Sequence, residues 1–280
     1  MLKRIITGAL LIIYAFGLVT LGAWYPIAVD VLIYSFMLLG VYEMLHSFSI
    51  SGYKVYKLAP IIMCAASLPL VYFYKLQGLM VDFAICLIIV MIQFVFAKER
   101  TLNDLFATIF AMIYPTLFMS LAFVITREVN AVYMAFFVIL VPITSDSFAY
   151  FTGRLFKGPK LCPTISPKKT IAGAIGGLMG GILASGIVYT LFEHFAVFGD
   201  MIVAPTFTAS HNANLAIYLV IGLVGSVICQ LGDLFASRIK RCIGIKDFGK
   251  IFPGHGGGLD RLDSIMFMLV LLFVIFSFVV

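Results

Sequence analysis

Charged side chains are scarce in this sequence: Asp, Glu, Lys and Arg make up only 11% of its 280 residues, against 62% hydrophobic residues. With a mean hydropathy of +1.12, that imbalance excludes an ordinary water-soluble domain. No long polar stretch separates the apolar runs, so no distinct soluble domain fits between them. The five cysteines, Cys64, Cys86, Cys162, Cys229 and Cys242, stand singly with no CxxC pair and no Cys/His cluster. Neither a zinc site nor a disulfide framework is expected, and most of these residues read as small apolar packing groups. A Gly-x-x-x-x-Gly-Lys-Ser/Thr phosphate loop is also missing. The first apolar run follows Lys3 and Arg4 without an obvious small-residue cleavage site, so it is expected to be a retained helix rather than a signal peptide.

What the chain does contain is a succession of apolar runs of roughly 17–25 residues, the length that crosses about 30 Å of hydrocarbon. The expected fold is an all-α integral membrane protein of about nine transmembrane helices, at 5–23, 27–47, 59–74, 78–97, 105–126, 131–152, 171–192, 214–236 and 263–280. Two regions follow: 1–130, with about five spans, and 131–280, which carries two polar loops.

Topology accounts for the net charge of +6. With the N-terminus in the cytoplasm and the C-terminus outside, all of the 19 basic residues except Lys75 and Arg127 fall on the cytoplasmic side, as the positive-inside rule requires. No nucleic acid is needed to explain them, and attraction to anionic lipid headgroups is a consequence. The segment 194–213 has His194, Asp200 and His211 but no Lys or Arg; it reads as an external loop.

The unusual residues gather in two stretches expected to be cytoplasmic loops. The first runs from Ser145-Asp146 through Gly153-Arg154 to Ile165-Ser166-Pro167-Lys168-Lys169-Thr170. An acid near a span end costs free energy, about 2.5–3.5 kcal/mol at a helix centre and less toward the interface, so Asp146 is expected to have a partner. A proline turn, hydroxyls and adjacent lysines suit a phosphate-binding corner, although lysines also serve as topology anchors. In the following span, Gly173, Gly176, Gly177, Gly180 and Gly181 have the small-xxx-small spacing that lets helices approach closely, within the subunit or across a dimer interface.

The second stretch is more informative. Gln230, Asp233, Ser237 and Lys240 recur at spacings of three and four, placing acid, hydroxyl and base on one helix stripe. Asp260, Asp263 and Ser264 form a second polar face at the start of the last span. Between them, Gly254 and Gly256–Gly258 let the backbone approach a ligand, with helix N–H groups available to an anion. Carboxylates converging there would repel by about 4 kcal/mol at 4 Å and an effective dielectric of 20. A cation relieves that, and hard oxygen ligands beside phosphate-binding lysines favour Mg²⁺. His255 reads as a loop hydrogen-bonding or catalytic residue; Glu43 and His46, near the end of the second span, read as serving helix packing or the interface.

Residues 237–263 resemble the signature of the phosphatidate cytidylyltransferase (CDP-diacylglycerol synthase) family: Ser237-x-Ile239-Lys240-Arg241, Lys246-Asp247, Pro253-x-His255-Gly256-Gly257 and Asp260-Arg261-Leu262-Asp263. The segments around Asp146, Ala149-Tyr150, Gly153-Arg154 and 165–170 are also similar. Two positions depart: Ala172 stands where the family commonly has glutamate, and Gly258 where a large apolar residue is usual. The resemblance implies Mg²⁺-dependent transfer of a cytidylyl group from CTP to phosphatidic acid, with K⁺ as an auxiliary, in a dimer of a bacterial inner (cell) membrane whose active site faces the cytoplasm.

It also implies the site. Asp233 and Asp260 are the leading metal positions, with Asp146, Asp247 and Asp263 as supporting acids. Lys168, Lys169, Lys240, Arg241 and Arg261 would hold and neutralise phosphates, while Ser166, Ser237, Lys246, His255, Gly256 and Gly257 complete the substrate-binding set. The rivals are an ion-coupled transporter, which should place polar groups deeper in the membrane, and a divergent paralogue. A CDP-alcohol phosphotransferase is disfavoured, since its Asp-Gly-x-x-Ala-Arg start is missing.

Overall fold

In the computed structural model, residues 2–195, 202, 207–208, 210–252 and 256–279 are described. They form helices α1 (Leu2–Leu21), α2 (Ile27–Ile50), α3 (Leu58–Phe96), α4 (Leu102–Ala111), α5 (Phe118–Glu128), α6 (Ala131–Phe156), α7 (Ile171–Tyr189), α8 (His211–Cys242) and α9 (Leu259–Val279). A two-stranded antiparallel hairpin, β1 (Lys160–Cys162) and β2 (Ser166–Thr170), lies between α6 and α7. The protein is an all-α membrane protein apart from that hairpin. Among the described residues, seven helical stretches are long and apolar enough to cross a membrane.

Apart from a residue or two at their ends, the apolar segments read from the sequence fall on helical stretches among the described residues, with 105–126 running through α4, a wider turn and α5. The segments 59–74 and 78–97 are the two legs of α3, interrupted at Lys75, where φ is +50°. A Cβ added at Gly78 would collide with the Leu70 carbonyl, eight residues back and about 12 Å away in a straight helix. The two legs therefore fold back on each other, and the missing side chain at Gly78 permits the close turn. Between α4 and α5, Met112–Leu117 widens into a π-helical turn containing Pro115. Proline has no N–H to give the Ala111 carbonyl; the Thr116 hydroxyl donates to it instead at 3.1 Å.

Two compact units result: Met1–Arg127 with Lys240–Leu262, and Glu128–Ile239 with Asp263–Val280. In the first, Arg127 is one of the two basic residues that the predicted topology leaves outside. Its guanidinium donates to Asp30 at 2.7 Å and lies 5.4 Å from the centre of the Tyr72 ring. Asp30 is buried, so the pair neutralises both charges where water is scarce. Asp30→Ala is expected to destabilise the protein by about 3 kcal/mol, because it strands a half-buried cation. Thermal unfolding in detergent, compared with the Asp30→Ala/Arg127→Met double variant, reads the effect.

In the second unit the glycines of α7 bring backbones together. Added Cβ atoms would meet the Thr144 carbonyl at 2.6 Å from Gly180 and the Ser226 Cβ at 2.5 Å from Gly181, so α7 lies tightly against both α6 and α8. Of the two expected outcomes, close approach within the subunit or across a dimer, the first occurs here. In the same unit an aromatic cluster forms around Tyr133, whose hydroxyl donates to that of Tyr218 at 2.7 Å.

Candidate functional site

Within the second unit, the hairpin and α8 meet through charge. Lys169 Nζ on β2 lies 2.6 Å from Asp233 Oδ2 on α8, both side chains partly exposed. One turn along α8, the Ser237 hydroxyl donates to Asp233 Oδ1 at 3.4 Å, as their four-residue spacing requires. Thr170 ends the strand and caps α7, its hydroxyl accepting the Gly173 amide at 3.1 Å. A Cβ at Gly153 would crowd that same hydroxyl at 2.8 Å, so Gly153 holds the end of α6 against the start of α7. Gln230, on the Asp233 stripe, donates to the Ala174 carbonyl at 3.2 Å. Asp146 and Asp263 both lie within electrostatic reach of Cys229, one turn before Asp233. Asp263 is buried and accepts the Ser264 amide at 2.8 Å.

In the first unit, Asp260 is the hub of the glycine-rich stretch. Lys240 Nζ donates to its Oδ1 at 2.6 Å, and the amides of Phe248 and Gly257 donate to its Oδ2 at 2.9 and 3.0 Å. Lys240 also lies 5.3 Å from the centre of the Phe248 ring, and both partners of the ion pair are buried. Gly256 adopts φ +84°, a conformation that favours glycine. Its missing side chain leaves room for Asp260 Oδ2 and Asp247 Oδ1, which would lie 3.3 and 3.6 Å from an added Cβ. Phe252 donates its amide to the Gly256 carbonyl at 3.1 Å, and Pro253–His255 lie outside the described residues. His255 is therefore not placed, and neither is Asp200.

Three sequence expectations need correction. Residues 145–154, read as the start of the first polar loop although 145–152 also belong to the span 131–152, are helical throughout, since α6 continues to Phe156. The 165–170 segment is not a proline turn, since Ser166–Thr170 pairs as a strand with Lys160–Cys162. Glu43, read as packing, accepts the Leu259 amide at 2.8 Å across 216 positions of sequence; the polar residue in an apolar span was the only signal that could have flagged it. Elsewhere, Lys168, Arg241, Lys246, Asp247 and Arg261 are exposed, and Ser166 is half-buried. Arg241 donates to the Ile245 carbonyl at 3.2 Å.

The two departures also have local settings. At Gly258 an added side chain would run into Leu39 of α2, so Leu39 fills the space that a large residue at 258 would take. Ala172 sits in the first turn of α7, which carries no acid. The positive end of that helix dipole, next to Lys168 and Lys169, is thus left uncompensated by an acidic side chain in that turn.

Long apolar helices with lysine–aspartate pairs set near their ends define a polytopic membrane protein. The chain belongs to the Cytidylyltransferase family, whose sequence model matches residues 2–279. It is 41% identical over 150 residues to a phosphatidate cytidylyltransferase of Staphylococcus haemolyticus, covering 54% of this chain and 51% of that protein. It is 34% identical over 167 residues to a phosphatidate cytidylyltransferase of Thermotoga maritima, covering 60% and 57%. A Staphylococcus epidermidis protein of the same name is 42% identical over 147 residues, covering 52% and 50%. The chain thus spans about half the length of the curated relatives it matches.

Proposed function

We propose that this protein transfers the cytidylyl group of CTP to phosphatidic acid, releasing pyrophosphate and forming CDP-diacylglycerol for phospholipid synthesis. The observation that carries this is the pair of 2.6 Å lysine–aspartate contacts, Lys169 with Asp233 and Lys240 with Asp260, in a chain of the Cytidylyltransferase family. The names of the relatives support the same chemistry. A phosphate oxygen of the lipid attacks the α-phosphorus of CTP, and the bond from that phosphorus to the pyrophosphate oxygen breaks. Such transfers need little covalent help and much positioning and charge neutralisation. Lys168, Lys169, Arg241 and Arg261 supply positive charge to the phosphates, while Lys240 neutralises Asp260 from within. Ser237 orients the Asp233 carboxylate.

Among the described residues no group of three or more His, Cys, Asp or Glu side chains is arranged to hold a metal ion. Mg²⁺ needs no such cage, as it uses one or two carboxylates with substrate phosphates and water. Asp233 and Asp260 fit that role as hard oxygen donors, each already facing a cation in the form of a lysine ammonium. Mg²⁺ there would supply charge stabilisation to the phosphates, with K⁺ as the proposed auxiliary ion. We further place nine spans in a bacterial inner membrane, with the N-terminus and site cytoplasmic, the C-terminus outside, and two copies forming a homodimer. The distribution of Lys and Arg supports that orientation.

The direct test gives purified protein CTP, phosphatidic acid and Mg²⁺ and follows both products. CDP-diacylglycerol and pyrophosphate are expected in equal amounts; the absence of either overturns the assignment. Lys169→Ala is expected to raise the KM for one phosphate-bearing substrate about tenfold, or ~1.4 kcal/mol, with a stability change below about 1 kcal/mol. Unchanged kinetics would make Lys169 a topology anchor.

A further inference from the structure

We propose that Glu43 is a positioning residue of this site, which fixes Asp260 by capping the start of α9 from another helix. The inference rests on the cytidylyl-transfer reading for its kinetic consequence and on geometry alone for its structural one. Glu43 and Ser47 on α2, and Ser51 immediately past its end, are spaced four residues apart and follow one stripe. All three reach the backbone of the signature segment. Glu43 Oε2 accepts the Leu259 amide at 2.8 Å, the Ser47 hydroxyl donates to the Phe248 carbonyl at 2.9 Å, and that of Ser51 donates to the Ile243 carbonyl at 2.9 Å.

Glu43 and Ser47 are buried. A carboxylate is expensive within an apolar helix unless something compensates it. Here the compensation is the N-terminus of α9, where unpaired amides and the helix dipole favour negative charge. Leu259 is the first residue of α9, and Asp260 the second. The glycines of the loop fit the same account, since the Glu43 carboxylate occupies the places where side chains at Gly249 and Gly257 would go. Phe248 is held at both ends of its peptide units, its carbonyl by Ser47 and its amide by Asp260. Glu43 thus sets where α9 begins, and with it the direction of the Asp260 carboxylate toward Lys240 and the loop amides.

Glu43→Ala and Glu43→Gln, compared with wild type in the full-length protein, test this by hydrogen exchange and by kinetics. In Glu43→Ala, exchange of the peptides covering 248–252 and 256–262 should accelerate while that of α7 stays unchanged. The kcat should fall about a hundredfold, the size expected when a reacting group is misplaced by about 1 Å, with the KM for CTP changing less than about threefold. Glu43→Gln, which keeps an acceptor oxygen, should recover most of the kcat. Unchanged exchange in these peptides, unchanged kcat, or a glutamine variant no better than alanine would overturn the proposal. If wild type transfers no cytidylyl group, the proposed function fails, and the exchange comparison still decides whether Glu43 holds the start of α9.

Discussion

Asp260→Ala is expected to cost both activity and stability: at least about a hundredfold in cytidylyl transfer, or ~2.7 kcal/mol of transition-state stabilisation, and about 3–5 kcal/mol in unfolding free energy. The two losses share one cause. Asp260 accepts the Lys240 ammonium and two backbone amides inside the protein, so its removal strands a buried cation and two buried donors. Asp260→Asn keeps the shape and one acceptor, and is expected to retain more stability than alanine while losing comparable activity. Adding Lys240→Met to Asp260→Ala should restore part of the stability and none of the catalysis, since a partner no longer needs compensating. Equal stability of wild type and Asp260→Ala would show that the ion pair is not formed in the membrane.

Asp233→Asn is expected to separate what Asp260 combines. Its carboxylate is partly exposed and pairs with a partly exposed lysine, so the change should alter stability by no more than about 1 kcal/mol. Activity should nevertheless fall at least about a hundredfold, ~2.7 kcal/mol, because the carboxylate is a proposed metal position and the partner of Lys169. The concentration of Mg²⁺ needed for half-maximal residual activity should rise in this variant. Full activity with an unchanged Mg²⁺ requirement would remove Asp233 from the metal-binding set.

Apolar helices and close-packing glycines were legible in the sequence for a physical reason. In hydrocarbon the backbone must satisfy its own hydrogen bonds, so apolar length alone implies helix. Small-xxx-small spacing in 173–181 implies close approach, and Gly180 and Gly181 lie against α6 and α8. The stripe of Asp233 and Ser237 was legible too, because helical periodicity is a local property. The reversal at Lys75 falls where the spans 59–74 and 78–97 part. The last turn of α6, to Phe156, and the strand at 166–170 were not legible, since competing local conformations of similar composition are selected by what packs against them.

Amino-acid order alone suffices to identify a helical membrane protein of the Cytidylyltransferase family and to single out its polar stretches. Which of those residues become partners depends on the folded arrangement. Lys169 meets Asp233 across 64 positions, Lys240 meets Asp260 across 20, and Glu43 reaches Leu259 across 216. Helical periodicity extends over a few turns, whereas these contacts depend on chain reversals and helix packing that bring remote segments within about 3 Å, the range where a hydrogen bond can form.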